Sequence, residues 1–253
     1  MTEAKKVTAC LVIIGNEILS GRTQDANLAY LAKWLNDQCG IQLAETRVIP
    51  DIEDTIVGTV NEVRARFDYV FTTGGIGPTH DDITAESIAK AFGVPWELHP
   101  EAHEILKEYY GPEGLTSARA RMACTPRGAR LVDNPISKAP GFQMENVFVL
   151  AGIPLIMQAM LESLKHRLTG GLPVRSRSVL LHLPESMIAA GLRDMQNRNP
   201  SADIGSYPFY RQGRGGTSIV IRSTDDTLNG RLAQEVFDLA VSLGGTPQFE
   251  ESA

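Results

Sequence analysis

The sequence predicts an α/β fold: a doubly wound, mostly parallel sheet in three layers, followed by a smaller α+β domain of two layers. Strand and helix patterns alternate through the first 90 residues, and the first strand is a continuous apolar run. This alternation favours right-handed βαβ units, and a continuous apolar strand is typical of a sheet covered on both faces. Beyond the glycines at 170 and 171, the order becomes strand, helix, strand, strand, helix. We therefore expect one domain over residues 1–170 and a second over 171–253.

Hydrophobic periodicity defines the elements of the first domain. A β-branched apolar run indicates a buried strand, and apolar residues spaced three and four apart indicate amphipathic helices. In chain order we predict a strand at 7–14, a helix at 28–35, a strand at 42–49, a helix at 56–63, a strand at 69–73 and a helix at 84–92. Helices at 100–109 and 116–123 follow, and then a hairpin at 142–150 that turns at Glu145 and Asn146.

Pro154 opens the last helix of the first domain, because proline presets φ in the first helical turn and needs no acceptor for an N–H there. Its predicted apolar face contains Ile156, Met160, Leu161, Leu164 and Leu168. For the second domain we predict a strand at 175–183, a helix at 186–197, strands near 202–207 and at 217–223, and a helix at 228–243.

Composition excludes several classes of protein. The chain has 253 residues, of which 43% are hydrophobic, and a formal net charge of −6. A disordered chain would be less hydrophobic, and a protein that neutralises DNA phosphates would be basic, so we expect no nucleic-acid partner. Three widely spaced cysteines form no zinc or disulfide pattern, and no apolar run reaches membrane length. We expect a cytoplasmic protein with no membrane partner, which forms a homo-oligomer.

A glycine-rich segment, TTGGIGPTHDDIT at 72–84, is the sharpest candidate site. It lies between a buried strand and a helix, at the sheet edge where doubly wound folds bind ligands. Closely spaced glycines let backbone N–H groups approach a phosphate, and a carboxylate not used as a helix cap is free to hold a divalent metal. The plainer interpretation is a glycine turn followed by a capping aspartate. The candidate ligand-binding residues are Thr73, Gly74, Gly75, Gly77, Pro78, Thr79 and Thr84, and the candidate metal ligands are Asp81 and Asp82.

A second polar segment, GNEILSG at 15–21, follows the first strand and lies on the same sheet edge. Its candidate ligand-binding residues are Gly15, Asn16, Glu17, Ser20 and, at the start of the next helix, Asn27. An ordinary Gly-Asn turn and an ordinary helix cap explain the same residues without a ligand.

A third region combines NPISKAPGF at 134–142 with LAGIP at 150–154. Lys138 carries a charge that would neutralise a phosphate, and Gly152 permits a tight turn between a strand and a helix. Pro140, Gly141 and Pro154 complete this set of candidate ligand-binding residues. Two solvated loops are the plainer interpretation.

Taken together, the motifs resemble the molybdopterin-binding domain that MoaB and Mog proteins share. They resemble still more the N-terminal half of the competence/damage-inducible protein A (CinA) family. The four motifs span 7–168, and GSYPF at 205–209 extends the likeness into the small domain. Asn16, Ser137, Lys138 and Ala151 depart from the residues common in that pattern. The resemblance implies a MoaB/Mog-like fold. Longer members carry a further C-terminal deamidase domain, for which this chain has no room, so no deamidase activity is expected.

Two functions follow as hypotheses. In the first, which the resemblance implies, the protein is a metal-dependent pyrophosphatase that acts on ADP-ribose or FAD. Asp81 and Asp82 would hold Mg²⁺, Mn²⁺ or Co²⁺, the glycine N–H groups would hold phosphate charge, and Lys138 would stabilise the leaving phosphate. These three side chains are the candidate catalytic residues. In the second, the same loops bind molybdopterin or a nucleotide without turnover.

Overall fold

The computed structural model describes residues 6–111, 113–211 and 214–250. The chain divides into two units, Met1–Gly171 and Leu172–Ala253. The helices of the first unit are α1 (Asn16–Leu19), α2 (Asn27–Trp34), α3 (Glu53–Arg66), α4 (Thr84–Phe92), α5 (Pro100–Tyr110), α6 (Ser117–Arg121) and α7 (Pro154–Leu164). Its strands are β1 (Thr8–Ile14), β2 (Gln42–Ile49), β3 (Tyr69–Thr73), β4 (Trp96–Leu98), β5 (Cys124–Pro126), β6 (Arg130–Val132), β7 (Gly141–Met144) and β8 (Val147–Leu150).

The main sheet has the strand order β2-β1-β3-β8-β7-β6. Strands β2, β1, β3 and β8 are parallel neighbours, whereas β7 is antiparallel to both β8 and β6. The chain therefore leaves β1 toward β2 on one side and returns to β3 on the other side. The doubly wound, mostly parallel sheet expected from the sequence is confirmed.

Strand β1 supplies side chains to two separate cores, which explains its continuous apolar sequence. Leu11 and Ile13 pack in a cluster with residues of α2 and α7, and Val12 and Ile14 pack in a second cluster with residues of α3 and α4. Successive side chains of a strand point to opposite faces, so helices cover the sheet on both sides. The first unit thus has the three layers predicted.

The second unit is a four-stranded antiparallel sheet with two helices. Its elements are β9 (Arg175–Leu181), α8 (Glu185–Arg198), β10 (Asp203–Arg211), β11 (Arg214–Ser223), α9 (Asp226–Ser242) and β12 (Gln248–Glu250), and the strand order is β10-β11-β9-β12. Apolar residues of both helices and of β9 and β11 share one core. The smaller two-layer domain is confirmed, with β12 as an addition that was not predicted.

Several predicted elements differ from the structure. The three-residue strands β4, β5 and β6 were not predicted, and the segment at 16–19, expected as a loop, forms the short helix α1. Helix α7 ends at Leu164, so Leu168, expected on its apolar face, follows a 3₁₀ turn instead. Its side chain still packs against the core of the α2 and α7 side. A 3₁₀ turn tightens the end of a helix and interrupts the 3.6-residue period.

Replacement of a buried leucine in α7 tests the layered core. Leu161 is fully buried, so Leu161→Ala should lower the free energy of unfolding by about 2–5 kcal/mol. Leu98, in β4, is 49% exposed, and the same change there should cost about 1 kcal/mol or less. The only tryptophans, Trp34 and Trp96, both lie in the first unit, so urea denaturation followed by their fluorescence reports on this unit. Equal costs for the two variants would contradict the core described here.

Candidate functional site

The candidate site lies at the carboxyl ends of β1, β3 and β8. The chain changes direction across the sheet between β1 and β3, and ligands of doubly wound folds bind at such a switch point. The segment after β1, the segment at 74–83 after β3, and the turn at 151–153 after β8 all begin there. The connection from β6 to β7 reaches the same edge, because β7 runs antiparallel to β8.

Gly74 is the point where three of these segments meet. Its φ is +102°, and a Cβ atom there would lie 2.1 Å from the carbonyl oxygen of Ile14. A Cβ on Gly152 would lie 3.2 Å from the Cα of Gly74. Only glycine satisfies both the positive φ and the close approach of backbone. The N–H of Gly74 donates to the carbonyl of Leu150 at 3.2 Å, so it is not available to a phosphate, contrary to the prediction for this residue.

The next three N–H groups are free. Those of Gly75, Ile76 and Gly77 have no hydrogen-bond partner among the described residues. Gly75 has a φ of +67°, and its carbonyl accepts a hydrogen bond from the N–H of Thr84, the first residue of α4. Successive unpaired N–H groups in such a turn form a concave anion-binding surface, which the N-terminus of the helix reinforces. We call this surface, at 75–77, the glycine nest.

At the end of this loop, the carboxylates of Asp81 and Asp82 both contact the hydroxyl of Thr79. The Thr79 hydroxyl oxygen lies 2.6 Å from Oδ1 of Asp81 and 2.6 Å from Oδ2 of Asp82. Asp82 also accepts the N–H of Thr79 at 2.7 Å, and a Cβ on Gly77 would lie 2.7 Å from its carboxylate. The Thr79 hydroxyl lowers the pKa of Asp81, which is exposed and therefore ionised at neutral pH.

Because Asp82 lies two residues before Thr84, its sequence position predicts either a cap for α4 or a contact that holds the loop shut, and the structure separates these two roles. Ile83 is the N-cap residue of α4 and no side chain caps that helix, so the expected capping role is wrong. The first helical N–H is instead satisfied by the carbonyl of Gly75. Asp82 holds the loop closed through Thr79, which was the other role expected for it.

Several buried polar atoms around the loop have no partner. The hydroxyls of Thr72, Thr73 and Thr84 and the Oδ1 of Asn27 are buried and form no hydrogen bond among the described residues. The Nδ2 of Asn27 donates to the carbonyl of Gly152 at 2.8 Å, which joins α2 to the turn after β8. Buried polar atoms without partners cost stability and occur most often at functional sites.

The polar segment at 15–21, which follows β1, is held by contacts that its sequence does not show. Glu17 and Ser20 are exposed, and the Ser20 hydroxyl donates to the carbonyl of Glu17 at 3.2 Å. The carboxylate of Glu17 lies over Gly15, where a Cβ would meet it at 2.5 Å. The N–H of Asn16 donates to Asp51 at 2.8 Å. Asp51, which follows β2, was not among the candidate site residues.

The segment at 133–140 is organised by Asn134. This buried side chain donates to the hydroxyl of Ser137 and the carbonyl of Ala139, and it accepts two backbone N–H groups. Lys138 is exposed, has a φ of +62° and forms no ion pair among the described residues. The remaining candidates lie as follows: Pro140 is buried, Gly141 packs within β7 against the carbonyl of Val149, Pro78 is exposed, and Pro154 is the exposed first residue of α7.

The described part of the chain contains no preformed metal site made of His, Cys, Asp or Glu side chains. Within 6–111, 113–211 and 214–250, no three or more His, Cys, Asp or Glu side chains are grouped so that they would hold a metal ion. Over the same residues, no helix combines the length and the apolar character needed to cross a membrane.

Comparisons with known proteins agree with the fold. Residues 10–170 match the family described as "Probable molybdopterin binding domain", and residues 173–237 match the middle domain of FAD synthase. A crystal structure of the protein CinA from Thermoplasma acidophilum, described as of unknown function, superimposes with a TM-score of 0.60 at 33% identity. It covers 64% of this chain and 98% of that one.

Two sequence relatives extend the likeness. A protein of Pyrobaculum calidifontis is 35% identical over 212 residues, which span 79% of this chain and 80% of that protein. A CinA-like protein of Desulfosudis oleivorans is 36% identical over 159 residues, which span 60% of this chain and 38% of that protein. The second unit resembles the FAD synthase middle domain and not a deamidase.

Two glycines with similar positive φ angles test the packing of the loop. Gly21 has a φ of +71°, and a Cβ there would have nothing within 4 Å, whereas a Cβ on Gly75 would lie 2.2 Å from the Thr84 hydroxyl. Gly21→Ala should cost about 1–2 kcal/mol of unfolding free energy from φ alone. Gly75→Ala should cost about 1–3 kcal/mol more, because the loop must also shift.

The extra loss of unfolding free energy in Gly75→Ala, relative to Gly21→Ala, should largely disappear when the change is made in a Thr84→Ala background. The Thr84 hydroxyl oxygen, which the added Cβ would meet, is then absent. Urea denaturation followed by tryptophan fluorescence measures all four variants, including Thr84→Ala alone. Equal costs for Gly75→Ala and Gly21→Ala would show that Gly75 does not pack against α4 as described.

Proposed function

This chain is a CinA-like member of the family of probable molybdopterin binding domains, and we propose that it hydrolyses nucleotide pyrophosphates at the glycine nest. The observation that carries the proposal is the run of three N–H groups at 75–77 that lack a partner within the described ranges, beside two carboxylates, at the switch point of the sheet. A phosphate there would receive hydrogen bonds from fixed donors that need no rearrangement.

Asp81 and Asp82 are the residues that would hold a divalent cation. A hydroxyl has one proton, so Thr79 donates to only one of Asp81 and Asp82 at a time. The Thr79 oxygen and the carboxylate oxygen that receives no proton lie 2.6 Å apart and repel each other. A divalent cation relieves this repulsion. Mg²⁺ is commonly held by one or two carboxylates together with substrate phosphates, which fits a site with two aspartates and, among the described residues, no third His, Cys, Asp or Glu grouped with them. When bound, such a cation polarises the phosphate oxygens.

The residues of the chain would divide the remaining tasks. The N–H groups of the glycine nest orient one phosphate, and Asp82 holds the loop in place through Thr79. Lys138, with no carboxylate partner among the described residues, is available to neutralise charge on the departing phosphate. ADP-ribose and FAD are the proposed substrates because each contains two linked phosphates beside adenosine, and the match to the FAD synthase middle domain supports a nucleotide of this kind.

Binding without turnover is the second candidate. The pKa of Asp81 is lowered by the Thr79 hydroxyl, and a carboxylate with a lowered pKa is a poor acceptor for the proton of an attacking water. In this case the same loop would bind molybdopterin or a nucleotide, in keeping with the family description.

Turnover with a metal panel decides between the candidates. The chain is incubated with ADP-ribose or FAD and with Mg²⁺, Mn²⁺ or Co²⁺, and the release of AMP is measured. Asp81→Asn and Asp82→Asn should each reduce the rate by at least about a hundredfold, as expected when charge stabilisation is lost. Asp37→Asn, an exposed carboxylate beyond the far end of α2, is the matched control and should leave the rate unchanged.

Calorimetry completes the test. Nucleotide or molybdopterin binding without release of AMP would favour the second candidate. No turnover and no binding with any of these metals would overturn both candidates.

We also propose that the chain associates with itself through the turn after β8. Ile153 and Leu155 are 61% and 66% exposed, and neighbouring apolar side chains of this size are often covered by a partner. Light scattering at micromolar concentration should give a dimer or larger, and Leu155→Glu should reduce that mass. A monomer mass for the unchanged chain would contradict the proposal.

A further inference from the structure

A groove in the second unit lies between α8 and the edge strand β10. Its volume is about 490 Å³, within the range of ligand-binding clefts. Leu192 of α8 and Ile204 of β10 contribute apolar side chains to it. Strand β10 pairs with β11 on one side and, among the described residues, with no strand on the other.

The side chain of Gln196 shows which backbone groups of β10 face the groove. Its Nε2 donates to the carbonyl of Ala202 at 2.7 Å, and its Oε1 accepts the N–H of Ile204 at 2.8 Å. Gln196 thus pairs with the strand as the backbone of a neighbouring strand would. In an antiparallel pair, successive residues point their backbone groups alternately toward and away from the partner. The outward set is therefore Ala202, Ile204, Ser206 and Pro208.

The free part of this edge is short and sharply bounded. Gln196 satisfies the edge as far as the N–H of Ile204, and Pro208 has no N–H to donate. Between them, the carbonyl of Ile204 and both backbone groups of Ser206 face the groove. By this alternation they point away from β11, and among the described residues no side chain bonds to them. In order along the strand, these groups are the acceptor of Ile204, the donor of Ser206 and the acceptor of Ser206. An extended peptide pairs with such a series.

The charges along the groove differ at its two ends. Glu185, at the start of α8, accepts a hydrogen bond from the Ser206 hydroxyl. Arg193, two helical turns further on, is exposed and forms no ion pair among the described residues. From 185 to 196 the helix rises about 16 Å, which is the length of about five extended residues.

We propose that this groove binds an extended peptide segment of a partner protein, which pairs with β10 at 204–206 and places an acidic side chain near Arg193. Addition of a strand to a free sheet edge is a common way to bind peptides, with backbone hydrogen bonds for affinity and side-chain pockets for selectivity. The apolar floor at Leu192 and Ile204 favours a β-branched residue next to the acidic one.

The test uses the full chain labelled with ¹⁵N and the blocked pentapeptide acetyl-Thr-Val-Asp-Val-Thr-amide. Titration should shift the amide signals at 204–206 and of Arg193. Ser206→Pro removes the donor, and an edge strand tolerates proline, so binding should weaken by about fivefold or more. Ser206→Ala removes the same hydroxyl but keeps the donor, and should bind within about twofold of the unchanged chain.

A charge exchange gives an independent readout if Ser206→Pro does not fold. Arg193→Glu should prefer the peptide with Lys in place of Asp, whereas the unchanged chain prefers the acidic one. The proposal is overturned by any of three results: no shift at 204–206 with millimolar peptide, equal binding by Ser206→Pro and Ser206→Ala, or the same peptide preference in Arg193→Glu. It is also overturned if these amides shift with protein concentration alone, since the groove would then join two copies of this chain.

Discussion

The backbone packing at Gly74 connects every part of the candidate site. Its Cα hydrogen faces the carbonyl of Ile14 at the end of β1, and Gly152 approaches it from the turn after β8. Because no side chain separates these segments, the ends of three parallel strands are in van der Waals contact, and Asn27 extends the contact to α2. A larger residue at Gly74 would push the glycine nest away from the sheet edge. The position of the N–H groups at 75–77 therefore depends on glycine, which has no Cβ, at position 74.

The loop after β3 carries groups of opposite electrostatic character. Free N–H groups at 75–77 and the start of α4 attract an anion, while Asp81 and Asp82 a few residues later attract a cation. Under the proposed function, a phosphate and a divalent cation would bind together, because the two carboxylates would repel a phosphate that bound alone. Beside this loop, the buried hydroxyls of Thr73 and Thr84 have no hydrogen-bond partner in the part of the chain that the structure describes, and a bound ligand would supply one.

Local signals explain which parts were predictable from the sequence. The strands at 42–49 and 69–73 and the helix at 84–92 have the predicted bounds, because each segment contains its own hydrophobic pattern and a glycine or proline stands beside it. Strands β4, β5 and β6 have three residues each, too few to show a period. The pairing of the Gly74 N–H and the contribution of Asp51 depend on contacts between distant segments. The role of Asp82 depends on how the loop at 75–84 folds on itself, and periodicity contains neither kind of information. The sequence thus predicted which segments meet at one edge of the sheet, and the tertiary structure shows which of their polar groups are paired.

The most direct measurement is a crystal structure of the chain with Mn²⁺ and ADP-ribose, with the cation located by its anomalous scattering. The account predicts a phosphate within hydrogen-bond distance of the N–H groups of Gly75, Ile76 and Gly77. It also predicts an anomalous peak between that phosphate and the carboxylates of Asp81 and Asp82. A phosphate bound away from 75–77, or a cation held without either aspartate, would contradict the account.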